Sequence, residues 1–110
     1  MQKLDESVLN EVLETLPEWY YDATRACILR AFEFADFKAA WGFMSQVALM
    51  AEQRNHHPEW SNVYQRVQLA WTTHDAGGVS MHDVEAARFC DALALRCGGH
   101  TAALGLEVGQ

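Results

Sequence analysis

Three of the five histidines have the spacing that proton-transfer chemistry requires. His56 and His57 are adjacent in a short polar segment, and His74 ends a segment in which apolar and polar residues alternate. Because an imidazole titrates at about pH 6.5, it can give and take protons at neutral pH. If the alternating segment is a strand beside the one that follows His57, the three rings meet at one end of a sheet. Two such rings flanking a small substrate would form a general acid–base site.

Three further side chains could complete this site. Glu52 and Asp83 are carboxylates that could orient the imidazoles, and Trp60 offers a flat surface for a planar heterocycle. Each also has a simpler interpretation. Glu52 could be a solvated charge on a helix, and Asp83 could only cap one. Trp60, together with Trp41 and Trp71, could belong to the core.

A zinc site is the competing hypothesis for the same histidines. Zinc takes three or four ligands at fixed geometry, and His56, His57 and His74 would supply three. Adjacent residues in an extended segment point to opposite sides, so His56 and His57 cannot easily bind one ion together. We therefore predict a site without a metal.

Hydrophobic periodicity predicts the elements that must position these residues. Apolar residues at helical spacing predict three helices, over 4–16, from 37 to about 54 and from 81 to about 97. Aromatic, β-branched and alternating segments predict four strands, over 19–21, 26–34, around 62–64 and then up to 74. Because strands in adjacent pairs favour hairpins, the order α-β-β-α-β-β-α predicts an α+β fold. Its four-stranded antiparallel sheet would have the helices packed on one face.

Capping signals accompany each predicted helix. Asp5 or Ser7 could begin the first, and Asp36 is typical of the residue before the second. The segment Ser80-Met81-His82-Asp83 has the form of a capping box at the start of the third. Gly98-Gly99 would end that helix. We expect a single domain over residues 1–98, followed by a loose C-terminal tail over 99–110.

The second helix has the strongest pattern in the chain. Its apolar stripe, which we expect to face the core, comprises Phe37, Ala40, Trp41, Met44, Val47, Ala48 and Ala51. Cys27 and Cys90 also lie among apolar residues, so we predict that they are small buried side chains.

Charge and composition exclude several classes of function. The 110 residues carry a net charge of −7 and an isoelectric point of about 5.0, which argues against binding to nucleic acid or to an anionic membrane. No apolar run approaches the roughly 20 residues of a membrane helix, and the acidic N-terminus does not resemble a signal peptide. The three cysteines are widely spaced and predict no disulfide framework. A reducing cytoplasm is the expected location.

A longer motif connects these residues. Glu52-x-x-x-His56-His57-Pro58-x-Trp60-x-Asn62-Val63-Tyr64 is followed by Thr73-His74 and then by Asp83. This combination resembles the pterin-4a-carbinolamine dehydratases. The helix from Phe37 to Glu52 and the preceding Phe32-x-Phe34 are also similar to that family. The similarity covers roughly residues 15–95 without an evident gap.

The resemblance implies a fold, a reaction and an assembly. The fold is the predicted arrangement, and members assemble as dimers or tetramers. The reaction is the dehydration of 4a-hydroxytetrahydropterin to quinonoid dihydropterin and water, which recycles the pterin used by aromatic amino-acid hydroxylases. It needs no metal or organic cofactor. Some animal relatives also act as dimerisation cofactors of a homeodomain transcription factor.

The resemblance also assigns roles to residues. The three histidines of the family correspond to His56, His57 and His74, and the carboxylates of its motif correspond to Glu52 and Asp83. We expect His56 and His74 to be the acid–base pair and His57 to hold the pterin. Glu52, Asp83, Trp60 and Thr73 would bind the substrate or orient the histidines. The alternative is a non-enzymatic oligomeric adaptor that stabilises another protein.

Overall fold

An antiparallel sheet lies at the centre of the structure, a computed structural model that describes residues 2–105. The helices are α1 (Glu6–Glu14), α2 (Phe37–Arg54) and α3 (Met81–Arg96). The strands are β1 (Tyr20–Asp22), β2 (Cys27–Glu33), β3 (Glu59–Val63), β4 (Arg66–Trp71) and β5 (His100–Ala102). The sheet order is β1-β2-β4-β3, and β5 also pairs with β2. The predicted α+β class is confirmed.

The three helices pack on one face of this sheet. β2 and β4 alternate in and out, so their helix-facing residues form one core with α1, α2 and α3: Ile28, Phe32, Val67, Leu69 and Trp71. Each helix begins at a predicted cap. Asp5 accepts a hydrogen bond from the Val8 amide at 2.9 Å, and Asp36 accepts one from the Ala39 amide at 2.8 Å. Of the two alternatives for α1, Asp5 is therefore the cap.

The C-terminal segment forms a fifth strand, so the prediction of a loose tail from residue 99 is wrong for its first part. β5 pairs with the half of β2 that β1 leaves open, with Ala31 opposite Ala102. Beyond it, the amide and carbonyl of Gly105 both bond the buried side chain of Gln68, at 2.7 and 3.3 Å. Leu104 packs on Cys27 and neighbouring residues of the second sheet face. A strand of three residues is too short to produce a periodic sequence signal. Residues 106–110 of the predicted tail lie outside the described part of the chain.

The apolar stripe of α2 divides between two faces, so the prediction that all of it faces the core is wrong. Ala40, Met44, Val47 and Ala51 are buried. Phe37 and Trp41 are instead 52% and 57% exposed, and their rings stack on each other with centroids 6.2 Å apart. Trp41 therefore lies outside the core, whereas Trp71 is fully buried. Phe37 and Trp41 repeat at helical spacing, but they lie on a side of α2 that does not face the sheet. Spacing alone therefore could not predict that they are exposed.

None of the three cysteines forms a disulfide in the structure, and Cys27 and Cys90 are buried as predicted. Burial raises the pKa of the Cys90 thiol to about 12 and also raises the pKa of Cys27. Both therefore remain neutral apolar side chains at physiological pH. In the part of the chain that the structure describes, none of the helices has the length and apolar character to cross a membrane.

Candidate active site

The predicted histidines lie at the end of the sheet where β3 begins. α2 ends at Arg54, and the left-handed backbone of its cap residue Asn55 (φ 51°) reverses the chain direction. The amide of His56 still bonds the Ala51 carbonyl at 3.0 Å, which holds this residue against the end of the helix. His57 then precedes Pro58, which favours an extended backbone leading into β3.

His74 reaches the same end from β4. Glu59, the first residue of β3, pairs with Ala70 near the last residue of β4. The predicted continuation of β4 to His74 is wrong, because the chain leaves the sheet after Trp71. It folds back through a bridge between Thr73 and Gly78, and His74 begins a short 3-10 helix that ends at Ala76.

His56 is the most enclosed of the three imidazoles. Its Nε2 lies 2.6 Å from Oδ1 of Asp83, and its side chain is 12% exposed. The ring stacks on Trp71 with centroids 5.4 Å apart, and the ring of His82 meets it edge-on at 5.8 Å. When Asp83 is ionised its oxygens only accept hydrogen bonds, so the contact then assigns the donor role to Nε2 of His56. Nδ1 is then the atom available to exchange a proton with a substrate.

Asp83 both caps α3 and binds the imidazole. Its side chain is fully buried. Oδ2 accepts hydrogen bonds from the Ser80 amide and from Oγ1 of Thr73, each at 2.8 Å, while Oδ1 faces His56. The predicted capping box is present. Three donors share one carboxylate, so its two oxygens are fixed and so is the direction of the imidazole.

His57 points away from Asp83 and pairs with the other predicted carboxylate. Its Nε2 lies 2.9 Å from Oε1 of Glu52. The two side chains are 56% and 82% exposed, so water competes for this contact. His57 is consequently held more loosely than His56 and can turn toward a ligand.

His74 pairs with a carboxylate that sequence reasoning missed. Its Nε2 lies 3.1 Å from Oε2 of Glu59, whose other oxygen lies 3.1 Å from Nη2 of Arg25. His74 is 80% exposed, so these contacts hold it less firmly than burial holds His56. The signal that could have found Glu59 is its place at the start of β3, directly opposite the end of β4.

The three imidazoles open into one cleft of about 610 Å³. Its walls come from the end of α2, the start of β3, the segment after β4 and the start of α3. The lining residues are Arg54, Asn55, His56, His57, Pro58, Glu59, Thr72, Thr73, His74, Asp75 and His82. Another cleft, of about 400 Å³ beside α1, contains no histidine. The acid–base groups are therefore concentrated in one concave surface.

The remaining predicted residues occupy different positions. Thr73 lines the cleft and binds Asp83. Trp60 pairs with Leu69, a core-facing residue of β4, and packs against the main core rather than lining the cleft. His82 lines the cleft although the sequence suggested no partner for it. Its position before Asp83 in the capping box is the signal that could have placed it beside His56.

Each of the three imidazoles proposed as zinc ligands contacts a carboxylate. His56 turns to Asp83 and His57 to Glu52, so the adjacent rings face different partners. Within residues 2–105, no group of three or more histidine, cysteine, aspartate or glutamate side chains has a geometry that could hold a metal ion. The adjacent rings of His56 and His57 therefore do not face a common point in this structure.

Comparison with known proteins agrees with the geometry. Residues 2–93 match the family described as pterin 4 alpha carbinolamine dehydratase. A relative from Nitrobacter winogradskyi is 46% identical over 90% of this chain and 98% of its own length, and one from Rhizorhabdus wittichii is 55% identical over 76% and 87%. The names of both place them among the pterin-4-alpha-carbinolamine dehydratases.

A solved structure shows the same fold. The crystal structure of a transcriptional coactivator/pterin dehydratase from Brucella melitensis is 45% identical in sequence and superposes with a TM-score of 0.81. The match covers 84% of this chain and 99% of that one. Sequence and fold thus agree over nearly the full length of each relative, and the chain belongs to the pterin 4 alpha carbinolamine dehydratase family.

Proposed function

We propose that this protein dehydrates 4a-hydroxytetrahydropterin to quinonoid dihydropterin and water by general acid–base catalysis. The observation that supports this most is the cleft itself, where three imidazoles, each bonded to a carboxylate, face one space of about 610 Å³. Family membership indicates the substrate class.

The reaction requires only two proton transfers and correct positioning. In the 4a-carbinolamine, a hydroxyl and the nitrogen N5 are bonded to the same carbon. An acid protonates the hydroxyl, the C4a–O bond breaks and water leaves. The N5 lone pair forms the new C=N bond, and a base takes the N5 proton. The catalyst ends with the number of protons it began with, and imidazoles suit both steps at neutral pH.

The geometry supports distinct roles for the three histidines. We assign the acid–base pair to His56 and His74 and the holding of the pterin to His57. Asp83 orients His56. Glu59 orients His74, a role that the sequence analysis considered only for Glu52 and Asp83. Glu52 orients His57 instead. Each carboxylate lies within 3.1 Å of its imidazole, where it would face the positive charge of a histidine that has just accepted a proton.

Stopped-flow dehydration of freshly generated 4a-carbinolamine tests this function. We expect the protein to accelerate the reaction and to keep its full rate after dialysis against a strong chelator. No acceleration over buffer would contradict the proposed activity. A rate lost on chelation and restored by zinc would contradict the acid–base mechanism and favour a zinc site formed by the histidines.

We further propose that the enzyme acts in the cytoplasm as a homodimer or homotetramer that recycles a tetrahydropterin cofactor. The recycling role follows from the product, which a reductase can return to the tetrahydro form. Exposed apolar side chains on α2, such as Phe37 and Trp41, support self-association.

A second candidate function is that of a protein-binding adaptor. The observation that favours it is the description of the Brucella melitensis protein as both coactivator and dehydratase, together with the exposed rings on α2. A chain that binds pterin but fails to dehydrate the carbinolamine would support the adaptor over the enzyme.

A further inference from the structure

We propose that Trp71 is a positioning residue for catalysis: its buried indole sets the plane of the His56 imidazole and so aims the nitrogen that exchanges a proton with the substrate. This inference rests on the proposed function and adds to it a residue that acts on the reaction only through His56. The contact that carries it is the stack between the two rings, whose centroids lie 5.4 Å apart at an interplanar angle of 21°.

The hydrogen bond to Asp83 leaves one rotation of the imidazole undefined. It joins Nε2 of His56 to Oδ1 of Asp83 at 2.6 Å. Nε2 lies close to the axis of the Cβ–Cγ bond, so rotation about that bond moves it little, whereas Nδ1 lies farther from the axis and moves more. This torsion is broad in histidine, because a bond between sp³ and sp² carbons has no sharp staggered minima. A second contact is therefore needed to hold Nδ1 in one direction.

Trp71 supplies this second contact from a rigid part of the fold. It is the last residue of β4, it pairs with Ile28 of β2, and its side chain is fully buried in the main core. Close packing in a core leaves an indole little freedom to turn. Rotation of the imidazole out of the stack would break the aromatic contact, so the fixed indole restrains the plane of His56.

The other neighbours of His56 do not hold its plane in this way. His82 meets the ring edge-on with centroids 5.8 Å apart, but His82 is exposed, and exposed side chains change rotamer rapidly. Thr73 and the Ser80 amide donate hydrogen bonds to Asp83, so they hold the carboxylate rather than the imidazole. Among these neighbours, the indole is the rigid group that stacks on the ring.

Trp71 has no direct access to the substrate. It is fully buried and does not line the cleft, whereas His56 does. A pterin held by His57 would therefore bind equally well with or without the indole. Loss of the stack should lower kcat and leave KM unchanged, because the direction of a proton-transfer group matters in the transition state rather than in the bound ground state.

The test compares Trp71→Leu, which removes the flat ring, with Trp71→Phe, which keeps one. For the 4a-carbinolamine we expect Trp71→Leu to lower kcat by about ten-fold while KM changes by less than about two-fold. Trp71→Phe should keep kcat within about three-fold of the wild type, since a phenyl ring can still stack on an imidazole. In the His56→Ala background, Trp71→Leu should lower kcat no further, because it acts through that imidazole.

Phe43→Leu is the matched control. Phe43 is also a fully buried aromatic residue of the main core, but its ring neighbours are Phe32 and Phe34. This variant should lose stability in a thermal melt and keep the kcat of the wild type when all rates are compared below every melting temperature. Trp71→Met, whose side chain is flexible and fills irregular space, repeats the test if Trp71→Leu does not fold.

The outcomes separate the positioning role from the activity itself. An unchanged kcat in Trp71→Leu, an equal loss in Trp71→Phe, or an equal loss in Phe43→Leu would overturn the positioning role while leaving the dehydratase intact. A further loss of kcat when Trp71→Leu is added to His56→Ala would also overturn it. Failure of the wild type to dehydrate the carbinolamine would instead overturn the proposed function on which the inference rests.

Discussion

At the scale of single residues, Asp83 determines which nitrogen of His56 carries the proton. Asp83→Asn keeps one oxygen, which can still accept from the Ser80 amide and from Thr73. The new NH₂ group must then face His56 Nε2 and donate to it, so the imidazole proton moves to Nδ1. The imidazole can no longer accept a proton from a substrate at that atom.

We therefore predict that Asp83→Asn lowers kcat by roughly 10–10³-fold, an effect no larger than the loss of His56 itself. The melting temperature should change little, since the amide retains capping ability. Steady-state kinetics measures the effect on kcat, and a thermal melt measures the effect on stability. Full activity in this variant would mean that Asp83 only caps α3.

The histidines should act together rather than independently. His56→Ala and His74→Ala should each lower kcat by roughly 10–10³-fold, because each removes one proton transfer of the same step. The double variant should be worse by clearly less than the product of the two. His57→Ala should raise KM more than it lowers kcat, since His57 holds the pterin.

All three single variants should fold, because none of the three side chains is fully buried; circular dichroism provides the control. Near wild-type turnover in the double variant would show that the acid–base pair has been assigned to the wrong residues.

At the scale of elements, the turn after α2 is the piece of backbone that presents His56. Asn55 adopts a left-handed conformation, which asparagine and glycine tolerate better than other residues. Asn55→Ala should destabilise the fold by about 1–2 kcal/mol, whereas Asn55→Gly should be near neutral. For a domain of this size the alanine variant should lose roughly 5–10 °C in Tm. Equal melting temperatures for the two variants would show that the backbone conformation costs nothing there.

The elements that the sequence predicts well are those with several turns or a clear alternation. α2 runs from Phe37 to Arg54 as expected, because its cap and its proline-limited end are both local signals. β5 and the exposed direction of Trp41 could not be predicted in that way. β5 forms only because it pairs with β2, which is distant in sequence. The exposure of Trp41 depends on which side of α2 packs against the sheet.

The same distinction applies to the site. His56, His57 and His74 were recognisable from residue type and motif. Glu59 was not, because its contact with His74 arises only from the register that sets β3 against β4. The flat ring of Trp60 could stack on a pterin. Because side chains alternate between the two faces along β3, however, Trp60 faces the core.

At the scale of the whole molecule, the chain leaves several large apolar side chains exposed. Phe37, Trp41 and Leu49 are more than half exposed on α2, and Leu95 is 80% exposed on α3. β3 is also an edge of the sheet. A small domain gains stability by covering such surfaces with another copy of itself. The geometry offers two routes to self-association, through the helix surface or through the sheet edge.

We predict that light scattering at micromolar concentration gives at least twice the chain mass of 12.4 kDa. The double substitution Phe37→Arg, Trp41→Arg should reduce that mass if α2 forms the interface, because burying two unpaired charges opposes association. Leu95→Arg is the control, because Leu95 is an apolar residue on another helix and is 80% exposed. A reduced mass in the α2 variant alone assigns the interface to α2, and an unchanged mass in both variants points to the β3 edge. A monomer of the wild type at these concentrations would contradict self-association by either route.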